Sequence, residues 1–304
     1  MSTLDAPYFK NDTAARKHLE RIRWPNGPYC PHCGCTERIK VLNGKSHRAG
    51  LHKCYDCSGH FTVTVGTLFE RSKIPLHKWF MATYLLCSSK KGISSHQLHR
   101  MLGITYKSAW FMSHRIREAM REHKFAGPLG RGGGTVEIDE TYWGRKKGEK
   151  VRPGYKHKEK ILTLVERGGE LRSFHVPEVN SKTLRPILRQ QISQSAHVKT
   201  DEAGYYRKLR DDFSSHEAVS HQMGEYVRGD AHTNTLEGYF SILKRGLTGV
   251  YQHVASHHLK RYVGEFDFRY NTRDLSDWER SGIALKGIGG KRLTYGGPEA
   301  RSNV

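Results

Sequence analysis

Four cysteines limit what this chain can fold into more than any other feature. Cys30-Pro-His-Cys33 and Cys54-Tyr-Asp-Cys57 are two C-x-x-C knuckles, with the 20 residues of positions 34–53 between them. Each knuckle sets two sulfurs on a tight turn, and the loop between can fold back to bring the pairs together. That spacing suits a tetrahedral thiolate zinc site. Turn residues flank both pairs, as Cys33-Gly34 and Cys57-Ser58-Gly59. A site with four protein ligands is closed, so Zn²⁺ here is expected to hold structure and take no part in chemistry. Cys35 is an alternative to Cys33, and His32, His52 or His60 are near enough in sequence to replace a ligand. Cys87 lies in an apolar helical run and reads as a buried core thiol. A disulfide pairing is the competing reading. The N-terminal residues are polar and acidic with no signal-peptide pattern, so a reducing, cytoplasmic setting is expected.

Charge narrows the partners. The 304 residues carry 51 Lys+Arg against 30 Asp+Glu, a formal net charge of +21. A polyanion is the expected partner, and nucleic acid is the commonest one. The longest apolar stretch, Trp79–Cys87, is too short to span a bilayer. No recurring period points to a repeat architecture.

Hydrophobic periodicity divides the chain. Residues 1–27 hold a short amphipathic helix over 13–23, with Asp12 or Thr13 as its cap. Residues 28–66 form the zinc ribbon, ending in an alternating strand over 61–65. Residues 67–125 are helical, and 92–120 read helix, turn, helix: Ser94 or Ser95 caps the first, Gly103 turns, and Thr105 starts the second. The second helix carries Lys107, Ser108, His114, Arg115 and Arg117, the pattern of a helix-turn-helix entering a major groove. An ordinary helical hairpin is the alternative.

The glycine-rich stretch 126–134 reads as a linker. Beyond it, strands are expected at 135–139, 160–165, 171–176, 196–200 and 216–220, with a hairpin turn at Gly168-Gly169. Helices are expected at 181–192, 205–213, 234–247 and 257–270. Three strands, a helix, a strand, a helix, a strand and final helices make an α/β layer. This order predicts a ribonuclease-H-like mixed sheet with flanking helices over 135–275, followed by a tail over 276–304.

Acids gather at the strand ends. Asp139 closes the first strand and Asp201 the fourth, so neighbouring strands would bring the two carboxylates to one edge. Glu237 follows Asp201 after 35 intervening residues. Asn234, Glu237, Ser241 and Lys244 fall on one helical face, so a carboxylate and an ammonium could hold metal and phosphate together. Asn234 and Glu237 also read as a helix cap. Glu137 and Asp139 share a strand face and Glu140 points away. For these flanking acids, and for Glu202, solvation of the sheet edge is the ordinary reading. Three acids from separate elements suit a pair of Mg²⁺ ions at a phosphodiester, with Mn²⁺ as the alternative ion.

These residues resemble a known family. VEIDETYWGRKK, VKTDEAGYY and HTNTLEGYFSILKRGLTGVYQHVASHHLKRYVGEFDFRYNTR look like bacterial insertion-sequence transposases that join a zinc ribbon to a DDE-type ribonuclease-H-like domain. ERIRWPNGPYCPHCGC and HKCYDCSGHFTVTVGTLFE resemble their zinc module, and GKRLTYGG also looks familial. The resemblance implies DNA transposition by Mg²⁺-dependent strand cleavage and transfer, on terminal inverted repeats and target DNA. It makes Asp139 and Asp201 the first two catalytic carboxylates. Glu237 is favoured as the third, with Asn234 as its alternative, and Lys244 takes the basic position of that helix. Glu265 and Arg269 at i, i+4 read as a second familial motif or as a surface ion pair. An assembly of at least two chains on paired ends is implied.

Lys107, Arg115, Arg117, Lys244 and Arg245, with Arg145, Lys146 and Lys147 of the basic segment 145–160, are the candidate DNA contacts. A flexible solvated loop is the other reading of that segment. Three other functions remain open. A non-catalytic zinc-ribbon and helix-turn-helix regulator leaves the carboxylates unexplained. A tyrosine recombinase rests on the short H-x-x-R of His258–Arg261. A junction-cutting nuclease would share fold and metals but lack strand transfer.

Overall fold

The first helix, α1 (Asp12–Arg23), takes its cap from Asn11, whose side chain accepts from Ala14 N at 3.0 Å. Asp12, expected as that cap, is occupied elsewhere. The computed structural model describes residues 3–121, 127–146, 148–151, 153–201, 204–219 and 233–294. It divides into two units, Met1–Arg121 with Asp274–Val304, and Glu122–Arg273.

In the first unit, β1 (Ile39–Val41), β2 (His52–Cys54) and β3 (His60–Phe61) form an antiparallel sheet in that order. The strand expected over 61–65 stops at Phe61. Val65 N turns back to Thr62 O at 3.0 Å, and the Arg23 guanidinium collects the carbonyls of Val63 and Val65. These bonds to one side chain replace a strand partner.

Helix α2 (Leu76–Ser88) buries Trp79, Phe80, Leu86 and Cys87. Pro75 offers it no side-chain cap. Asp12 supplies one from α1, its Oδ1 accepting from Leu76 N and from His77 N. A carboxylate there satisfies orphan amides and meets the positive end of the helix dipole. Helices α3 (Ser95–Leu102) and α4 (Tyr106–Met120) are capped by Ser94 and Thr105. Gly103 ends α3 in the left-handed conformation, at φ 58°.

The second unit is a five-stranded sheet. Its strands are β4 (Thr135–Trp143), β5 (Glu159–Glu166), β6 (Leu171–Val176), β7 (His197–Asp201) and β8 (Ser215–Val219). The order is β6-β5-β4-β7-β8. The first three strands pair antiparallel, while β4–β7 and β7–β8 are parallel. This is the ribonuclease-H-like arrangement. Helices α5 (Ser181–Gln191), α6 (Asn234–Gly246) and α7 (Ser256–Asn271) flank it, and residues 204–211 form a 3₁₀ turn.

Strand alternation sorts the two cores. Val136, Ile138, Leu162 and Leu164 pack with Leu184 and Leu188 of α5 and with Tyr206. On the other face Ile161 and Val165 pack with Leu236, Phe240 and Leu243 of α6 and with Val263 and Phe266 of α7. Helix α7 also closes the open edge of β6. Asp267 accepts from Ser173 N at 3.0 Å, and Asn271 pairs with both Leu171 N and Leu171 O, at 2.7 and 2.9 Å. An exposed edge strand is an invitation to aggregation, and these side chains stand in for a sixth strand.

The glycine-rich stretch read as a linker packs into this unit over its described residues. Leu129 is buried and bonds to Gln191 and Ser193 along the backbone, both at 2.8 Å. Gly130 has φ +72°, and a Cβ there would stand 2.5 Å from that of Ala196. Residues without side chains are needed for the close approach, so the composition of a linker serves a packed loop.

Glu265 and Arg269 are not a surface pair. Glu265 is 0% exposed and Arg269 is buried. Glu265 accepts from Arg269 and from Tyr251 Oη, the latter at 2.5 Å. Tyr251 ends a π-helical turn, Leu247–Tyr251, that continues α6. Breaking a buried pair strands a charge, at about 3–5 kcal/mol. Glu265→Ala should therefore destabilise the protein by that amount in urea denaturation, where a surface pair would lose under ~1 kcal/mol.

Asp212 is held between Arg185 and Arg189, at 2.5 and 2.6 Å. The Arg185 hydrogen bond, then Arg189, lowers its carboxyl from 3.8 to about 2. A depressed folded-state value means stability that is full above pH ~4 and lost as pH falls toward 2. The arginines are partly exposed, which screens the pair to about 1 kcal/mol. The advantage of wild type over Asp212→Asn should be constant from pH 5 to 7 and shrink steadily between pH 4 and 2.

The chain ends with α8 (Asp277–Lys286), opened by a capping box between Ser276 and Glu279 and packed within the first unit against α2. The segment read as a tail thus carries structure. Lys291 donates to the carbonyls of Glu118 and Arg121, at 2.9 and 2.7 Å, closing the C-terminus of α4. No helix among the described residues is long and apolar enough to cross a membrane.

Candidate active site and zinc centre

Parallel pairing of β4 with β7 puts Val136 opposite Val198 and Glu137 opposite Lys199. Two residues beyond the last of these pairs come Asp139 on β4 and Asp201, the last residue of β7. The Asp139 carboxyl is half-buried and pushed up to about 7. Desolvation is the main cause; the negative charges of Asp201 and Glu237 add to it, while Glu140 N–H and Lys244 oppose it. Glu140 N donates to Asp139 Oδ1 at 2.7 Å. Asp201, Glu237 and Lys244 thus all lie near enough to Asp139 to act on its charge.

Glu237 and Lys244 are exposed on α6, and Asn234 is exposed on its first turn. The capping role that competed for Asn234 and Glu237 is not taken up: α6 begins at Asn234, and Thr233 makes no side-chain cap bond. Carboxylate oxygens are the donors a hard divalent cation such as Mg²⁺ or Mn²⁺ takes, but among the described residues the oxygens of Asp139, Asp201 and Glu237 are not drawn together within 4.8 Å as the four cysteine sulfurs are.

The flanking acids do not merely solvate an edge. Glu140 points away from Asp139, as expected, yet it is half-buried and accepts from Tyr206 Oη at 2.6 Å. Desolvation pushes its carboxyl up to about 8, which leaves it largely protonated at neutral pH. Glu137 is 0% exposed. Its Oε1 accepts from Arg167 Nε at 2.8 Å and from Thr235 Oγ1 at 3.0 Å, and its Oε2 from Leu236 N at 3.4 Å. No local pattern in the sequence marks these partners. Glu202 lies outside the described residues.

At the ribbon, the sulfurs of Cys30, Cys33, Cys54 and Cys57 lie within 4.8 Å of one another. Cys30–Cys57 and Cys33–Cys54 are each 3.6 Å apart. Four sulfurs at ~2.3 Å from a central Zn²⁺ give tetrahedral edges of about 3.8 Å, so the four thiols fit the ion. Cys35 is grouped instead with Cys54 and Asp56. His52 stacks on Phe61 at 5.4 Å, with its Nδ1 3.1 Å from Gly50 O, a packing role.

Two of the expected DNA contacts are corrected. Arg115 turns inward, donating to Leu68 O at 2.8 Å and to the carbonyls of Glu70 and Leu293, with its guanidinium over Phe111. Arg117 is 0% exposed and donates to Ser113 Oγ at 3.0 Å. Arg117 lies on the buried face of α4 with Ala109, Met112, Ser113 and Ile116, and Arg115 is half-buried beside it. Lys107 is exposed at the start of α4, beside Tyr106, which stacks on His96 at 4.2 Å. Arg145, Lys244 and Arg245 are exposed; Lys146 is half-buried, 4.0 Å from Glu178; Lys147 lies outside the described residues. The basic segment extends the β4–β5 hairpin, with Lys146 N bonded to His157 O at 2.8 Å and Tyr142 stacked on Tyr155.

A ribonuclease-H-like sheet with acids on its two parallel neighbouring strands, carried on a chain with a four-cysteine ribbon, is the build of a DDE-type transposase. Residues 132–271 match the family model of the ISXO2-like transposase domain, and residues 10–60 that of the transposase zinc-ribbon domain. An uncharacterized protein in transposable element ISH50 of Halobacterium salinarum is 31% identical over 281 residues, 86% of this chain and 91% of that protein. The chain belongs to the insertion-sequence transposases with this zinc ribbon and ISXO2-like domain. Among solved structures, a pre-cleavage Mos1 transpososome aligns with 64% of this chain and 74% of that one, at a TM-score of 0.25 and 14% identity.

Proposed function

We propose that this transposase binds the terminal inverted repeats of its element, cuts them, and joins them to target DNA at a site formed by Asp139, Asp201 and Glu237. The observation that carries this reading is that Asp139 and Asp201 stand on parallel neighbouring strands, with Asp201, Glu237 and Lys244 all near enough to Asp139 to act on its carboxyl. Bound Mg²⁺ would supply Lewis-acid stabilisation of the attacking and leaving oxygens of a phosphodiester. Asp139 and Asp201 hold fixed positions because each sits on a hydrogen-bonded strand. Glu237 reaches the site from α6. Lys244, two turns further along the same face, offers its ammonium to the scissile phosphate. Arg145, Lys146 and Arg245 contact the DNA backbone, and Lys107 at the start of α4 approaches the element ends. Binding of this kind weakens steeply with salt. Two chains on paired ends form the working assembly.

The test is a strand-transfer assay on duplexes carrying the element ends, with and without Mg²⁺. A Mg²⁺-dependent nick leaving a 3′-hydroxyl, followed by a joined product, is expected. Binding without cutting would leave a regulator, a covalent protein–DNA link would indicate a tyrosine recombinase, and junction cutting without joining a nuclease. In the same assay Glu237→Gln should lose on the order of a hundredfold or more in joining, as removal of a group that stabilises transition-state charge does. Asn234→Ala should stay within a few fold; the reverse order would make Asn234 the third ligand.

A further inference from the structure

We infer that Glu137 is a positioning residue: it ties the first turn of α6 to strand β4 and thereby sets where Glu237 stands relative to Asp139. The inference rests on the proposed role of those two carboxylates.

Helix α6 begins without a cap of its own, since Thr233 makes no side-chain bond to it. The first amides of a helix need acceptors, and a carboxylate near them also meets the positive end of the dipole. Glu137 meets that need from β4. It accepts from Thr235 Oγ1 at 3.0 Å and from Leu236 N at 3.4 Å, the two residues directly before Glu237. On the strand it stands two residues before Asp139, on the same face. One side chain therefore links the strand that carries one proposed ligand to the helix turn that carries another.

Glu137 is itself held. Arg167 Nε donates to it at 2.8 Å, and Arg167 N donates to Thr135 O at 3.0 Å, so the arginine is fastened to β4 as well. The strand around Glu137 is paired on both sides, with Val165 of β5 and Lys199 of β7. A buried ion pair alone would be weak grounds for a functional role, because apolar residues often replace such pairs without loss of stability. The bonds to Thr235 and Leu236 are the distinguishing feature. They fix a helix start, which packing against an apolar substitute would not do.

The test is Mn²⁺ binding to the full chain followed by electron paramagnetic resonance, together with the Mg²⁺ concentration that half-saturates end cleavage. Loss of groups that orient metal ligands typically weakens metal binding by about 10–100-fold. Glu137→Ala should fall in that range. Thr235→Val, which removes only the hydroxyl, should weaken Mn²⁺ binding several-fold, and Thr235→Ser should restore it to within about twofold. The half-saturating Mg²⁺ should move in parallel, with a smaller change in rate once Mg²⁺ saturates. The Thr235 pair decides the matter if Glu137→Ala fails to fold.

Thr235→Val binding Mn²⁺ as tightly as wild type, while Asp139→Asn does not, would overturn the inference and leave Glu137 a structural residue. Unchanged binding in Asp139→Asn itself would overturn the metal-site reading, and this inference with it.

Discussion

Asp139→Asn is expected to bind element ends like wild type and to cut them slower by on the order of a thousandfold or more. Asparagine keeps the volume and the place on β4, so the sheet and the basic surfaces are untouched. It removes the anionic oxygen that stands beside Asp201 and Glu237. Several kcal/mol of transition-state stabilisation pass through such a site, and each ~1.4 kcal/mol is tenfold in rate.

A second effect runs the other way. The Asp139 carboxyl is pushed from 3.8 to about 7 by burial first and by its acidic neighbours after that. A raised folded-state value means that ionisation works against folding. The cost grows as pH rises from ~4 and is complete above ~7. With metal chelated, Asp139→Asn should therefore be more stable than wild type at pH 8, by on the order of 1–3 kcal/mol, and equal to it near pH 4. Urea denaturation at the two pH values measures this. A variant that is inactive yet more stable is the mark of a site that keeps a charge out of water and beside like charges for the sake of function. A variant inactive because it is misfolded would lose stability at both values.

The parts of this protein that are legible in its sequence are those that local chemistry determines. The apolar runs of β4 to β8 read as strands between turn residues, and their order with the helices predicts the ribonuclease-H-like layer. Asp201 ends β7 as expected, but β4 runs on past Asp139 to Trp143, so the expected pairing of two strand ends is in fact a strand end beside the middle of its parallel neighbour. Glu237 and Lys244 share a face at helical spacing. The knuckles, Gly103, Ser94 and Thr105 act within a few residues of themselves.

Most of what the sequence hides depends on a distant partner. Asp12 caps α2 and not its own helix, and Glu137 caps α6 from a strand about a hundred positions earlier. Arg115 and Arg117 look like a basic recognition face until the helices of the first unit pack around α4 and turn that face inward. Lys291 gives order to a segment that reads as a tail, and so does Gly287, which lies so close to the carbonyl of Ala119 that a Cβ would have no room. In each case a single charged or small residue satisfies a need created elsewhere in the chain. Periodicity carries no trace of that need, because it is set by the fold and not by the neighbours in sequence.

Strands β1, β2 and β3 escape a sequence reading for a different reason, and it leads to the other large expected effect. They are only two or three residues each. Elements that short cannot hold themselves together by hydrogen bonds and burial. The ribbon must take its order from the four-cysteine centre, where structural Zn²⁺ is worth ~10–16 kcal/mol in small zinc modules at neutral pH. A chelator selective for soft cations, or Cys54→Ser, should therefore release residues 28–66 to rapid amide exchange and proteolysis. The loss should spread to the end of α1, because Trp24 packs edge-on against His52 and Phe61, at 5.0 and 6.0 Å. Residues 135–271 have their own two cores on either face of the sheet and should keep their slow exchange. Elemental analysis should find one zinc per chain before treatment and none after. A ribbon that stays protected once its zinc is gone would mean that packing, and not the metal, orders these strands.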